Sequence, residues 1–197
     1  MQEELLRSLV WTDYRVAVLF TVIFPLILLI WAFVQKADSM VRLLIVYWRV
    51  ASLWAITVYL LIAGWPIGFV AGWCASLLIP ISLWFWVDVN EDIDDRPQSP
   101  LKLVLTAWRW AVSVYCVLGA IVTIPFLRCG FVGGAVRDGS CRVWLEAPLL
   151  FKDYFHNNSK PQFLGFIGMV GLFIYVLYLS YFVLIRLGKQ GRSAMEH

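Results

Sequence analysis

Five stretches of the chain are long and apolar enough to cross a lipid bilayer, and they constrain everything else it can fold into. A helix crossing a hydrocarbon core of about 30 Å needs about 20 mostly apolar residues. Residues 16–34 contain no charge, and residues 43–63 are interrupted only by Arg49. Residues 67–87, 103–127 (with Arg109 inside) and 163–185 complete the set. Gly64, Trp65 and Pro66 separate the second run from the third. Gly permits unusual backbone angles and Pro removes a donor, so a tight hairpin turn is predicted there. The runs do not alternate apolar and polar residues, as barrel strands would.

Composition excludes the alternatives. Of 197 residues, 61% are hydrophobic and 15% are charged, where a soluble domain carries about 25% charged residues. A soluble domain of this size could not bury so much apolar surface, and a disordered chain would not contain it. The expected fold is therefore all-α: a single polytopic membrane domain with five transmembrane helices, an acidic inner loop at 88–102 and an outer loop at 128–162.

Glu3 and Glu4 stand where a signal peptide would carry positive charge, so the first run is read as a span. Met1 to Val10 reads either as a surface helix, with Leu5, Leu6, Leu9 and Val10 on one face, or as a frayed tail. Basic residues bias orientation. Nine of them (Lys36, Arg42, Arg49, Arg96, Lys102, Arg109, Arg186, Lys189 and Arg192) fall on the side of the C-terminal tail, and seven on the other. This places the C-terminus in the cytoplasm and the N-terminus outside.

The cysteines fit that orientation. Cys74 and Cys116 lie within spans as small apolar fillers. Cys129 and Cys141 lie twelve positions apart in the outer loop, with Gly130, Gly133, Gly134 and Gly139 around them. An oxidising compartment would let the two form a disulfide; otherwise they are unlinked thiols. No second ligand pair accompanies them, so no zinc site is expected. Residues Val143 to Phe155, with Trp144, Leu145, Leu149, Leu150 and Phe151 among charges, predict a helix lying on the outer membrane face.

Spans two and four echo one another. Arg42 is followed seven positions later by Arg49, with Trp48 before it, and Lys102 is followed likewise by Arg109, with Trp108 before it. Seven residues are two helical turns, so each cation pair shares a face. One reading is a duplicated two-helix unit whose Arg49 and Arg109 hold an anion or a lipid headgroup. The other is convergence, because Trp and Arg both favour membrane interfaces. Either way the two arginines need partners or a route to water. The loop after span three offers Asp88, expected to cap that span, together with Glu91, Asp92, Asp94 and Asp95. Pairing Asp88 or Glu91 with Arg49 or Arg109 would neutralise both partners. The remaining acids then form a docking surface for a protein partner or a loose cation site. An EF-hand is rejected, since Ile93 stands where Gly is required and Ser99 where Glu is required.

Gly68, Gly72 and Ser76 recur every four residues, and Gly165, Gly168 and Gly171 every three. Such stripes let helix backbones approach closely, within the chain or against a partner's helix. Pro25 and Pro80 interrupt spans, and neighbouring helices are expected to satisfy the freed carbonyls. The abundant aromatics, 16% of residues, fit an interfacial belt.

Signatures of chemistry are missing. The histidines are His156, in the outer loop, and His197, the last residue, so a bis-His haem within the membrane is excluded. No carboxylate lies inside a predicted span, and no nucleophile-elbow, phosphate-loop or zincin motif occurs. The expectation is a protein without catalytic residues, metal or cofactor and without a nucleic-acid partner, surrounded by membrane lipids.

The five-span plan, the Trp-Arg repeats, the stretch Asp88-Val-Asn-Glu-Asp-Ile-Asp-Asp95 and the Cys129/Cys141 loop resemble an uncharacterised family of small polytopic membrane proteins of cyanobacteria. The resemblance implies a thylakoid or plasma membrane and a role near photosynthetic complexes. The leading expectation is a non-catalytic protein that binds or helps assemble a larger membrane complex. The alternative is a small transporter or channel for an anionic or small solute.

Overall fold

The computed structural model describes residues 2–131 and 139–186. The basic residues Lys189 and Arg192, the loop glycines Gly133 and Gly134, and His197 lie outside the described residues. Among the described residues nine α-helices follow one another: α1 (Gln2–Val18), α2 (Phe24–Val34), α3 (Asp38–Ile62), α4 (Ile67–Trp84), α5 (Val87–Asp94), α6 (Pro100–Thr123), α7 (Arg128–Phe131), α8 (Gly139–Phe155) and α9 (Pro161–Tyr181). No strand occurs among the described residues. Among the same residues five helical stretches are long and apolar enough to cross a membrane: Glu4–Val34, Asp38–Ile62, Ile67–Trp84, Pro100–Phe131 and Pro161–Ile185. The chain is a multi-pass helical membrane protein.

Three boundaries differ from the sequence expectation. The N-terminal segment is neither a separate surface helix nor a tail, because α1 runs through a π-helical turn (Leu19–Ile23) directly into α2. The third span ends at Trp84 rather than at residue 87, because Trp86 takes an extended conformation (φ −84°, ψ 103°). The segment after it is the helix α5, not a loop, so Asp88 sits in the first turn of a new helix instead of capping the old one. A carboxylate there faces the positive end of the helix dipole.

The π-helical turn follows from Pro25. Proline has no amide hydrogen, so the Thr21 carbonyl four residues earlier loses its helical donor. The Phe24 amide donates to the Leu19 carbonyl, five residues back, which releases the Phe20 carbonyl as well. Other helices fill both vacancies. The Tyr47 hydroxyl of α3 donates to the Thr21 carbonyl (2.7 Å), and the Trp108 indole N–H of α6 donates to the Phe20 carbonyl (2.9 Å). The two rings meet edge to face at 5.0 Å between centroids, inside a core that also holds Leu28, Leu43, Leu83, Ile93 and Leu105.

Helix α3 is central and packs against α2, α4, α5, α8 and α9. Gly64, with φ 69°, supplies the left-handed residue that turns α3 into α4. The glycine stripes are consumed here. A Cβ on Gly68 would lie 2.7 Å from the Leu61 side chain, and one on Gly72 would lie 3.2 Å from Thr57. On α9, a Cβ on Gly165 would overlap Ala63, and one on Gly168 would stand 3.1 Å from the Leu60 backbone nitrogen. Gly171 faces Ile56. Ser76 is buried and donates to the Gly72 carbonyl (3.1 Å). Both stripes thus pack within the chain against α3, while the opposite face of α9 exposes Phe163, Phe166, Phe173 and Leu177.

Tyr47→Phe leaves the Thr21 carbonyl buried without a donor and is expected to cost about 1–3 kcal/mol. In a Pro25→Ala background the restored amide supplies that donor, so the same change costs less. Unfolding in mixed micelles of the four chains of this double-mutant cycle measures the difference. Gly168→Ala is expected to destabilise by about 1–3 kcal/mol through overpacking. Gly119→Ala meets nothing within 4 Å and is expected to be neutral or stabilising in the same assay.

Candidate functional site

The segment 87–94 follows helical periodicity. Val89 and Ile93, four apart, turn into the core and are 2% and 0% exposed. Glu91, Asp92 and Asp94 on α5, and Asp95 just after it, are exposed. The helix is tied down at both ends by its neighbours. At its C-terminus the last carbonyls have no intrahelical partner. The Lys102 ammonium, from the first turn of α6, donates to the carbonyls of Asp94 (2.7 Å) and Arg96 (2.8 Å). Lys102 is held there because Ser99 caps α6, accepting from the Lys102 amide at 3.2 Å, and Pro100 opens the helix.

Arg109, two turns further along α6, is 3% exposed. It donates to the Leu83 carbonyl at the end of α4 (3.1 Å) and to the Asn90 Oδ1 of α5 (2.8 Å). Its guanidinium carbon lies 4.2 Å from the centre of the Trp84 ring. This geometry corrects the expected ion pair. Arg109 bonds a carbonyl and an amide oxygen, neither of them a carboxylate, and Glu91 points outward. The reason is the early end of α4, which leaves the Leu83 carbonyl in need of a donor, and the helical phase of α5, which presents Asn90.

Arg49 has a different setting. It is exposed and lines two clefts between α3 and α9 that Arg109 does not line. Arg42 is exposed where Lys102 is buried, so the sequence echo between α3 and α6 does not extend to equivalent surroundings. No three His, Cys, Asp or Glu side chains converge in a metal-holding group among the described residues.

The opposite end of the bundle is latched by α8, the helix expected from residues 143–155. Cys129 and Cys141 form a disulfide, both buried against Phe69 and Phe126. Arg7 donates twice to Glu146 Oε1 (3.0 and 2.8 Å), and the Trp11 indole donates to Glu146 Oε2 (3.1 Å). The Tyr14 hydroxyl donates to the Trp144 carbonyl (2.9 Å). Tyr59 and His156 Nε2 are hydrogen-bonded at 3.0 Å.

One group was missed from sequence. Asp13 lies within the continuous first helix, on the face that also carries Val10, Ala17 and Thr21. The Tyr115 hydroxyl donates to its Oδ1 at 2.8 Å, beside a cavity of about 80 Å³. The helix that contains the first span thus also carries a carboxylate facing its neighbours, three residues before the predicted span. Extending the period of that helix back through Val10 would have exposed it.

The Glu146 carboxyl is pushed up by desolvation, but the hydrogen bonds from Arg7 and Trp11 and the charges of Arg7 and Arg142 outweigh this and hold it below its ordinary range. A depressed carboxylate lends stability that is complete above its unfolded pKa and is lost as the pH falls through the folded value. Acidification below the ordinary carboxylate range should therefore loosen α8 from α1, read as lower hydrogen-exchange protection at residues 139–155 relative to the intrinsic rate at each pH. Glu146→Gln should show the lower protection already at neutral pH and little further change in protection on acidification.

No curated protein and no solved structure matches the chain. A family model described as "Protein of unknown function (DUF3177)" matches residues 7–195, nearly the whole chain, and the chain belongs to that family.

Proposed function

We propose that this chain is a non-catalytic integral membrane protein that binds a protein partner through α5 and helps assemble a larger membrane complex. One observation carries the reading: the acids of α5 stand exposed while the cations of α6 nearest to them are already committed. Lys102 is bonded to backbone carbonyls, and Arg109 to Leu83 and Asn90. Glu91, Asp92, Asp94 and Asp95 therefore keep their negative field, on a helix anchored by Val89 and Ile93. A partner with a basic segment near the membrane surface fits that field, which would steer encounter and set specificity.

The proposed orientation puts α5 and the C-terminus in the cytoplasm and the N-terminus outside. The Cys129–Cys141 disulfide at the opposite end supports it, since such bonds persist in oxidising compartments. Within this reading the membrane is a thylakoid or plasma membrane, and a photosynthetic complex is the client that the cyanobacterial resemblance favours. A transport role has less support, because Arg49 and Arg109 do not line a common cleft.

The test is a mild-detergent pull-down of the tagged chain, read by mass spectrometry. Replacing Glu91, Asp92, Asp94 and Asp95 together by Gln and Asn should reduce partner recovery several-fold. Asp38→Asn, an exposed acid outside α5, should leave recovery unchanged. Equal recovery from the neutralised chain would reject docking through α5.

A further inference from the structure

Arg49 lies eleven residues after the start of α3 and six after Leu43, where the apolar run of that helix begins. The residue is exposed, and among the described residues its guanidinium makes no ion pair or hydrogen bond. A cation within the apolar run of a spanning helix requires an anionic partner or a path to water. The Trp48 indole N–H beside it is buried and also has no acceptor.

Two clefts meet at Arg49. One, of about 280 Å³, runs between α3, α4 and α9 and is walled by Leu78, Ile81, Phe85 and Phe182. The other is more open and lies between α2, α3 and α9, with Leu29, Ile45 and Ile174 along it and Trp48 in its wall. Tyr175 and Tyr178 border both. Among the described residues no Asp or Glu lines either cleft.

We propose that Arg49 binds the phosphate of an acidic diacyl phospholipid whose two acyl chains occupy the two clefts. The arrangement matches the ligand in parts: one cation for the phosphodiester oxygens, and two apolar channels diverging from it. The missing carboxylate sets the headgroup class. A zwitterionic lipid would bring an ammonium group for which neither cleft offers an anion, whereas an acidic lipid without an amine leaves no charge unmet. The proposal is independent of partner docking through α5, and either can fail without the other.

The experiment uses the full-length chain purified in detergent, with native mass spectrometry and thermal unfolding as readouts. Phosphatidylglycerol should remain bound and raise the unfolding temperature, while phosphatidylcholine and inorganic phosphate should do neither. Arg49→Gln should weaken phosphatidylglycerol binding about tenfold or more, as expected for a charged hydrogen bond. Arg42→Gln, which removes an exposed cation two turns away on the same helix, should change neither readout. Equal stabilisation by phosphatidylcholine, protection by inorganic phosphate alone, or an equal loss in Arg42→Gln would overturn the proposal. So would undiminished binding in Arg49→Gln. If Arg49→Gln does not fold, the lipid comparison on the unaltered chain decides it.

Discussion

A missing amide hydrogen organises the centre of the bundle. Pro25 leaves the Thr21 carbonyl without its donor, and the accompanying π-helical turn releases the Phe20 carbonyl. Inside a membrane such groups cannot turn to water, so other helices must supply donors. Tyr47 and Trp108 do so, one from α3 and one from α6, and their bonds fix where both helices stand against the first. Hydrophobic contact alone would not set this register, because lipid chains compete equally well for an apolar face. A polar defect in one helix therefore determines the relative placement of three.

The same logic recurs at the cytosol-proposed end. The premature end of α4 exposes the Leu83 carbonyl, and Arg109 answers it. The end of α5 exposes the Asp94 carbonyl, and Lys102 answers that. Each long cation of α6 thus closes a break in the preceding chain. Glu91, Asp92, Asp94 and Asp95, hydrogen-bonded to neither cation, remain exposed. The charge of α5 is a by-product of how its backbone is satisfied.

Much of this was legible in the sequence, and the misses have physical causes. The five runs, the Gly64 turn, the glycine stripes and the twelve-residue spacing of Cys129 and Cys141 all carry local signals of hydropathy, conformation or chemistry, and each matches what the structure contains. The helical state of 87–94 was hidden by its charges, although the four-residue spacing of Val89 and Ile93 recorded it. The choice of Asn90 over a carboxylate for Arg109 depends on where α4 stops, which hydropathy does not report. Asp13 was passed over because the first span was begun at the first uncharged residue, whereas a helix with one polar face can continue well beyond it.

The double anchoring of α5 has a consequence for association. A segment that becomes ordered only on binding gives up part of its interaction free energy to that ordering. Here the helix is already formed, its core face is buried, and its final carbonyls are bonded to the next span. Any molecule that meets its acids meets a finished surface, fixed to α4 and α6. Binding there acts on the transmembrane bundle as a rigid lever, so a push on α5 is felt at the ends of both helices.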